Sequence, residues 1–180
     1  MRNILSPFKS SEIVLESQLS LKTRSDIIKL MIKLIIFDYG GTIYNPLTDQ
    51  LYSETEKLLI KLRDLKFKLA LVSRAGDVNQ RLDDFKRFHL ENYFEFMEAI
   101  PEKKTKNFIP ILKKFNVFPE QCLVIGDYVK SEIKEGNKIG IKTIWIKNGE
   151  FPNVSPQTNQ EKPDYIIESL EELLPLINTL

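Results

Sequence analysis

Three apolar runs in this sequence are each followed at once by a polar residue able to do chemistry. Asp38 follows Leu34–Phe37 (LIIF), Ser73 follows the run that ends at Val72 (FKLALV), and Gly126-Asp127 follows Cys122–Ile125 (CLVI). Glu132 comes five residues after Asp127, and Lys103-Lys104-Thr105-Lys106 stands just ahead of an apolar segment that opens at Phe108. Carboxylates, a hydroxyl and an ammonium gathered at one spot suit phosphate and magnesium. Mg²⁺ takes hard oxygen ligands and usually only one or two protein carboxylates, which Asp38 and Asp127 can supply. A cation and a lysine together neutralise a phosphoryl group, so that a carboxylate can approach it. Gly40 and Gly41 free the backbone to turn sharply and aim N–H groups at phosphate oxygens. Ser73 can donate one further hydrogen bond.

Such convergence needs elements that end together. The runs at Leu34, Leu69 and Cys122 are continuously apolar rather than alternating, the pattern of strands buried on both faces of a parallel sheet. Between them lie segments with apolar residues at three- and four-residue steps, as in Leu58, Leu59, Leu62 and Leu65, or Phe108, Ile111, Leu112 and Phe115; that period is helical. The rhythm predicts strands at Leu34–Phe37, Phe67–Val72, Tyr93–Met97, Cys122–Ile125, Ile141–Ile146 and Tyr165–Ile167. It predicts helices over Leu51–Leu65, Val78–Phe88, Phe108–Phe115, Val129–Ile139 and Ser169–Ile177. The class is α/β: a three-layer, Rossmann-like, doubly wound parallel sheet, whose ligands bind beyond the carboxyl ends of the strands. Asn148 to Pro163, with three prolines, reads as a surface loop. Residues 1–30 fall outside the rhythm and read as an N-terminal extension, helical or flexible, ahead of one domain spanning 31–180.

Composition narrows the function. A chain of 180 residues with 42% hydrophobic content is long enough for one well-buried core. Its 26 basic and 25 acidic residues give a net charge of +1, which offers no footprint for nucleic acid or a membrane surface. One Cys excludes an internal disulfide framework and a multi-thiolate zinc site, and one His excludes a histidine-rich metal centre. No stretch approaches the roughly 20 apolar residues of a spanning helix, and no secretory leader is legible; a cytoplasmic protein is expected. The partner is a phosphorylated substrate, small or macromolecular, and a homo-oligomer is compatible with the sequence.

Asp38-Tyr39-Gly40-Gly41-Thr42, Ser73, Lys104 and Gly126-Asp127 with Glu132 resemble the four motifs of the haloacid dehalogenase (HAD) superfamily of phosphatases. The likeness runs from about residue 31 to the C-terminus. It implies Asp38 as a nucleophile that forms an aspartyl-phosphate, and Gly40 as donor of a backbone carbonyl to Mg²⁺. It also implies that Ser73 and Lys104 hold the phosphoryl group, and that Asp127 and Glu132 bind the metal. Lys103 is the alternative for the lysine.

Two departures from that family's pattern bear on function. Phosphatases of the family usually carry an acid–base Asp two residues after the nucleophile, and here that position is Gly40. Good leaving groups are therefore expected: acyl or aryl phosphates, or phosphoanhydrides. The alternative is a non-catalytic phosphate- or protein-binding module on the same fold. Dehalogenase or phosphonatase chemistry also dispenses with the second Asp, but dehalogenation needs no metal, and Asp127 with Glu132 argues for one. The second departure is the lack of a sizeable cap domain. Only 35 residues separate Asp38 from Ser73 and 31 separate Ser73 from Lys104, enough for core elements alone. The remaining reactive residues have plainer readings: Cys122 as core, His89 as a helix-end partner, and Lys106, Lys113 and Lys114 as a solvated helix face.

Overall fold

The computed structural model describes residues 32–149 and 151–180; the N-terminal extension expected over 1–30 lies outside the described residues. The main sheet contains β1 (Leu34–Phe37), β4 (Lys68–Ala75), β5 (Phe96–Pro101), β6 (Cys122–Gly126), β7 (Lys142–Ile146) and β8 (Tyr165–Ile167). The order is β5-β4-β1-β6-β7-β8 and every pairing is parallel. A two-stranded hairpin, β2 (Tyr44–Asn45) with β3 (Gln50–Leu51), projects after β1. Among the described residues the α-helices are α1 (Thr55–Asp64), α2 (Val78–Arg87), α3 (Ile109–Phe115), α4 (Lys134–Lys138) and α5 (Leu173–Ile177).

Successive side chains along a strand point to opposite faces of the sheet, so each apolar run serves two cores. Ile35 and Phe37 of β1 join Leu59, Leu62, Phe85 and Leu173 on one face of the sheet. Leu34 and Ile36 join Phe108, Ile111 and Leu112 on the other. All four β1 residues are at most 1% exposed. At about 25 cal/mol per Å² of apolar surface removed from water, such residues dominate the stabilisation of the sheet. The central position of β1 also fixes where its C-terminal end must lie.

Several boundaries differ from the periodicity. The strand expected over Tyr93–Met97 begins at Phe96, because Leu90–Asn92 forms a 3-10 turn and pairing with β4 starts at Ala70 opposite Phe96. The helix expected over Val129–Ile139 is split into a π-helical turn, Val129–Ile133, and the short α4. The expected C-terminal helix opens with a 3-10 turn, Leu170–Glu172. The hairpin was hidden because its strands have two residues each, too short for any period to register. The interval from Asp38 to Ser73 holds this hairpin, α1 and the start of β4, and the next interval holds α2 and β5. Neither contains an inserted domain.

Candidate functional site

Register brings the strand ends together. Phe37 pairs with Leu71 on one side and Ile125 on the other, so Asp38 leaves the sheet beside the end of β6 and beside Val72 and Ser73 of β4, which runs on to Ala75. Its backbone N–H donates to the Ile125 carbonyl at 2.9 Å. Asp38, Gly40, Ser73, Asp127 and Glu132 line one cavity of about 260 Å³ beyond the carboxyl edge. One carboxylate oxygen from each of Asp38, Asp127 and Glu132 falls within 4.8 Å of the others.

The lysine of the site is Lys106. Its ammonium pairs with Asp38 Oδ1 and lies 2.7 Å from Glu132 Oε1, with a side chain only 1% exposed. The sequence-based choice, Lys104, and its alternative, Lys103, are both solvent-exposed; the Lys104 N–H donates to the Pro101 carbonyl in the turn after β5. Ahead of α3, Lys106 and Phe108 are buried and Thr105 and Asn107 exposed. That alternation is the signal a reader could have used: Phe108 anchors in the core, so the residue two before it faces the same way. Counting from the family-like motif alone misplaced the side chain by two residues.

Gly41 also differs from expectation. Its φ of 67° requires glycine-like freedom, but its N–H donates to the Tyr44 carbonyl at 2.8 Å. It shapes the turn into the hairpin, and that donor is already engaged. Gly40 does line the cavity. Ser73 is 1% exposed and its hydroxyl donates to the Arg74 carbonyl at 3.1 Å.

Two further glycines hold the carboxylates by close approach. A Cβ at Gly126 would come within 2.9 Å of Glu132 Oε2, so Glu132, on the π-helical turn, folds back over bare backbone. A Cβ at Gly149 would overlap the Asp127 side chain and the Gly41 carbonyl oxygen. The Asp127 carbonyl accepts from Trp145 Nε1 at 2.9 Å, which fixes the loop after β6.

Burial opposes every charge here. It raises the Asp38 pKa above the ordinary carboxylate range, partly offset by the Lys106 ammonium. For Glu132 burial also resists ionisation, but Lys106 more than compensates and the pKa is lowered. Burial likewise disfavours the Lys106 charge, and Asp38 and Glu132 outweigh it, so that its pKa is raised. Three buried acids thus face one buried ammonium. Glu132 Oε2 is buried without a hydrogen-bond partner. An orphaned acceptor in an oxygen-rich, acid-dominated cluster is the donor set a hard divalent cation requires.

Sequence reasoning passed over Tyr44, Arg74, Arg81, Tyr128 and Phe151, which also line the cavity, as does the exposed Glu102 of the turn after β5. They come from the hairpin, β4, α2 and two loops, and no local spacing links them.

A HAD-hydrolase-like family model matches residues 103–173. The chain is 28% identical over 126 residues to glyceraldehyde 3-phosphate phosphatase of Pyrococcus furiosus, covering 67% of this chain and 52% of that one. A crystal structure from Haemophilus somnus, of a protein described as a predicted phosphoglycolate phosphatase, superposes with a TM-score of 0.69. It is 17% identical and covers 81% of this chain and 98% of that one. This chain belongs to the HAD superfamily. Bacillus subtilis YfnB, a HAD-hydrolase whose structure was solved bound to magnesium, superposes with a TM-score of 0.60 at 24% identity, over 72% of this chain and 57% of that one. The chain spans about half the length of the P. furiosus relative. Its HAD core of parallel strands is shared with these structures. Among the described residues no helix is long and apolar enough to cross a membrane.

Proposed function

We propose that this HAD protein is a phosphohydrolase that uses Mg²⁺ and passes its substrate's phosphoryl group through Asp38. The observation that carries the reading is the buried arrangement at the end of β1: Asp38 paired to Lys106, with Asp127 and Glu132 close enough to share one cation. The phosphatase names of the curated relatives and the magnesium in the YfnB structure support the same reading.

Asp127, Glu132, the Asp38 carboxylate and the Gly40 backbone carbonyl would hold Mg²⁺. When bound, the ion supplies charge neutralisation at the phosphoryl oxygens. Lys106 keeps Asp38 oriented and adds positive charge where the phosphoryl group sits. Ser73, at the end of β4, gives its hydroxyl to a phosphoryl oxygen. A carboxylate oxygen of Asp38 attacks phosphorus, and the bond from phosphorus to the leaving oxygen breaks, its electron pair departing with that oxygen. Water then hydrolyses the acyl phosphate and returns Asp38.

No carboxylate stands at Gly40 to protonate the departing oxygen, so substrates with good leaving groups turn over fastest. Gly40 also favours a second reading, a non-catalytic phosphate-binding module. Hydrolysis of acetyl phosphate and p-nitrophenyl phosphate, with and without Mg²⁺, separates the two. Mg²⁺-dependent release of phosphate that disappears in Asp38→Asn is the expected result; wild-type rates equal to the Asp38→Asn control would favour the binding module instead.

A further inference from the structure

We infer that Arg81, together with Arg74, forms a second oxyanion subsite, which selects substrates carrying an anionic group in addition to the phosphoryl group attacked. The inference rests on the phosphohydrolase reading and deepens it. Arg81 sits in the first turn of α2, where its N–H donates to the Asp77 carbonyl at 3.2 Å. Its guanidinium carbon lies 4.3 Å from the centroid of the Tyr39 ring and 5.9 Å from that of Tyr44. The side chain is 21% exposed, and Asp84 Oδ2 is 4.0 Å from Nη1, beyond hydrogen-bond reach. Nε and Nη1 are both buried and neither has a hydrogen-bond partner.

A guanidinium keeps its charge and all five N–H donors at any ordinary pH, and dry, unmatched donors are costly. An acceptor brought by a ligand removes that cost. The same residue lines the cavity that holds Asp38, Ser73 and Lys106. Arg74, also lining it, lies 5.8 Å from the Tyr128 ring centroid. Lys106 is already committed to the two acids at the cavity's buried end. The arginines are partly exposed, and their planar forks match a phosphate or a carboxylate bidentately.

Gly40 agrees with this assignment. In a phosphoanhydride the bridging oxygen leaves with its electron pair as part of a phosphate, which needs no acid from the protein. Arg81 and Arg74 would hold that phosphate. A carboxylate elsewhere on the substrate presents the same chemistry, and the ligands below distinguish the two.

The test is calorimetric binding, with Mg²⁺ present, of methylphosphonate, methylenediphosphonate and phosphonoacetate, which carry no second anion, a second phosphoryl group and a carboxylate respectively. Wild type is expected to bind at least one of the latter two about tenfold or more tightly than methylphosphonate, a gain of about 1.4 kcal/mol or more. That ratio should fall below about threefold in Arg81→Gln, with an intermediate value in Arg81→Lys, which keeps charge but not the fork. Arg74→Gln, which leaves the Tyr39 stack intact, should also lower it and serves if Arg81→Gln fails to fold. Equal binding of all three ligands by wild type, or a ratio that survives in folded Arg81→Gln, overturns the subsite. An Arg81-dependent ratio in a protein with no p-nitrophenyl phosphate turnover above Asp38→Asn would sustain the subsite and remove the phosphohydrolase reading alone.

Discussion

Replacing Gly40 by Asp adds the acid–base carboxylate that this chain lacks. A Cβ built at Gly40 meets nothing within 4 Å, and Gly40 is not among the glycines with positive φ. The side chain therefore enters open space at the cavity wall without backbone strain. Its stability effect is small: stiffening the unfolded chain favours the fold by about 0.4–1 kcal/mol, and repulsion from the neighbouring acids works against it. The kinetic effect is large. A positioned acid–base group contributes about 10²–10⁴-fold, or about 3–5 kcal/mol of barrier, but only when the leaving oxygen needs a proton. Turnover of an alkyl ester such as glycerol phosphate should rise by that factor in Gly40→Asp, and turnover of acetyl phosphate by less than about tenfold. The assay is kcat for both substrates at saturating Mg²⁺, with thermal melting to show that the variant is folded. Equal acceleration on the two substrates, or none on the alkyl ester, refutes the account of Gly40.

Other outcomes follow from the same geometry. Lys106→Met leaves Asp38 and Glu132 buried without their cation; it should lose phosphate release and about 3–5 kcal/mol of stability by urea unfolding, whereas Lys104→Ala should stay within about 0.5 kcal/mol of wild type. If Lys104 proved the more damaging site, the lysine assignment would be wrong. In Gly149→Ala the added methyl overlaps the Asp127 side chain, so the Mg²⁺ concentration for half-maximal activity should rise about tenfold or more, on the scale of supporting-residue effects at metal sites; an unchanged Mg²⁺ titration would count against Asp127 as a ligand. Asp49 ties the hairpin to α2 through Arg87, with contacts of 2.6 and 3.0 Å, and accepts from the Tyr44 hydroxyl at 2.7 Å. Its pKa is lowered from 3.8 to about 2, chiefly by the Arg87 hydrogen bonds. A depressed carboxylate stabilises the fold above its unfolded value and loses that contribution as pH falls through the folded one. The gap in urea midpoint between wild type and Asp49→Asn should thus be full at pH 7 and close between about pH 4 and pH 2; a gap constant over that window would show that the ion pair contributes nothing.

The sequence alone determined the sheet and the position of its reactive edge. Leu34–Phe37, Leu69–Val72 and Cys122–Ile125 are apolar at every position because both faces of a parallel strand are covered, and each run is followed within two residues by a polar side chain at the carboxyl edge. Asp38, Ser73 and Asp127 were legible for that reason, and Glu132 by its place five residues after Asp127 in the family-like motif; the structure gathers all four at one cavity. Tertiary structure decided the rest. Whether Lys104 or Lys106 enters the site depends on how the turn after β5 spends its residues before Phe108 docks, and no local periodicity encodes that. Arg74 and Arg81 share a cavity only because β4 and α2 pack beside the hairpin. The glycines at 126 and 149 have a role only once the carboxylates they admit are folded against them. Local pattern reports which face of an element is buried; the convergence of distant side chains needs the register of the whole sheet.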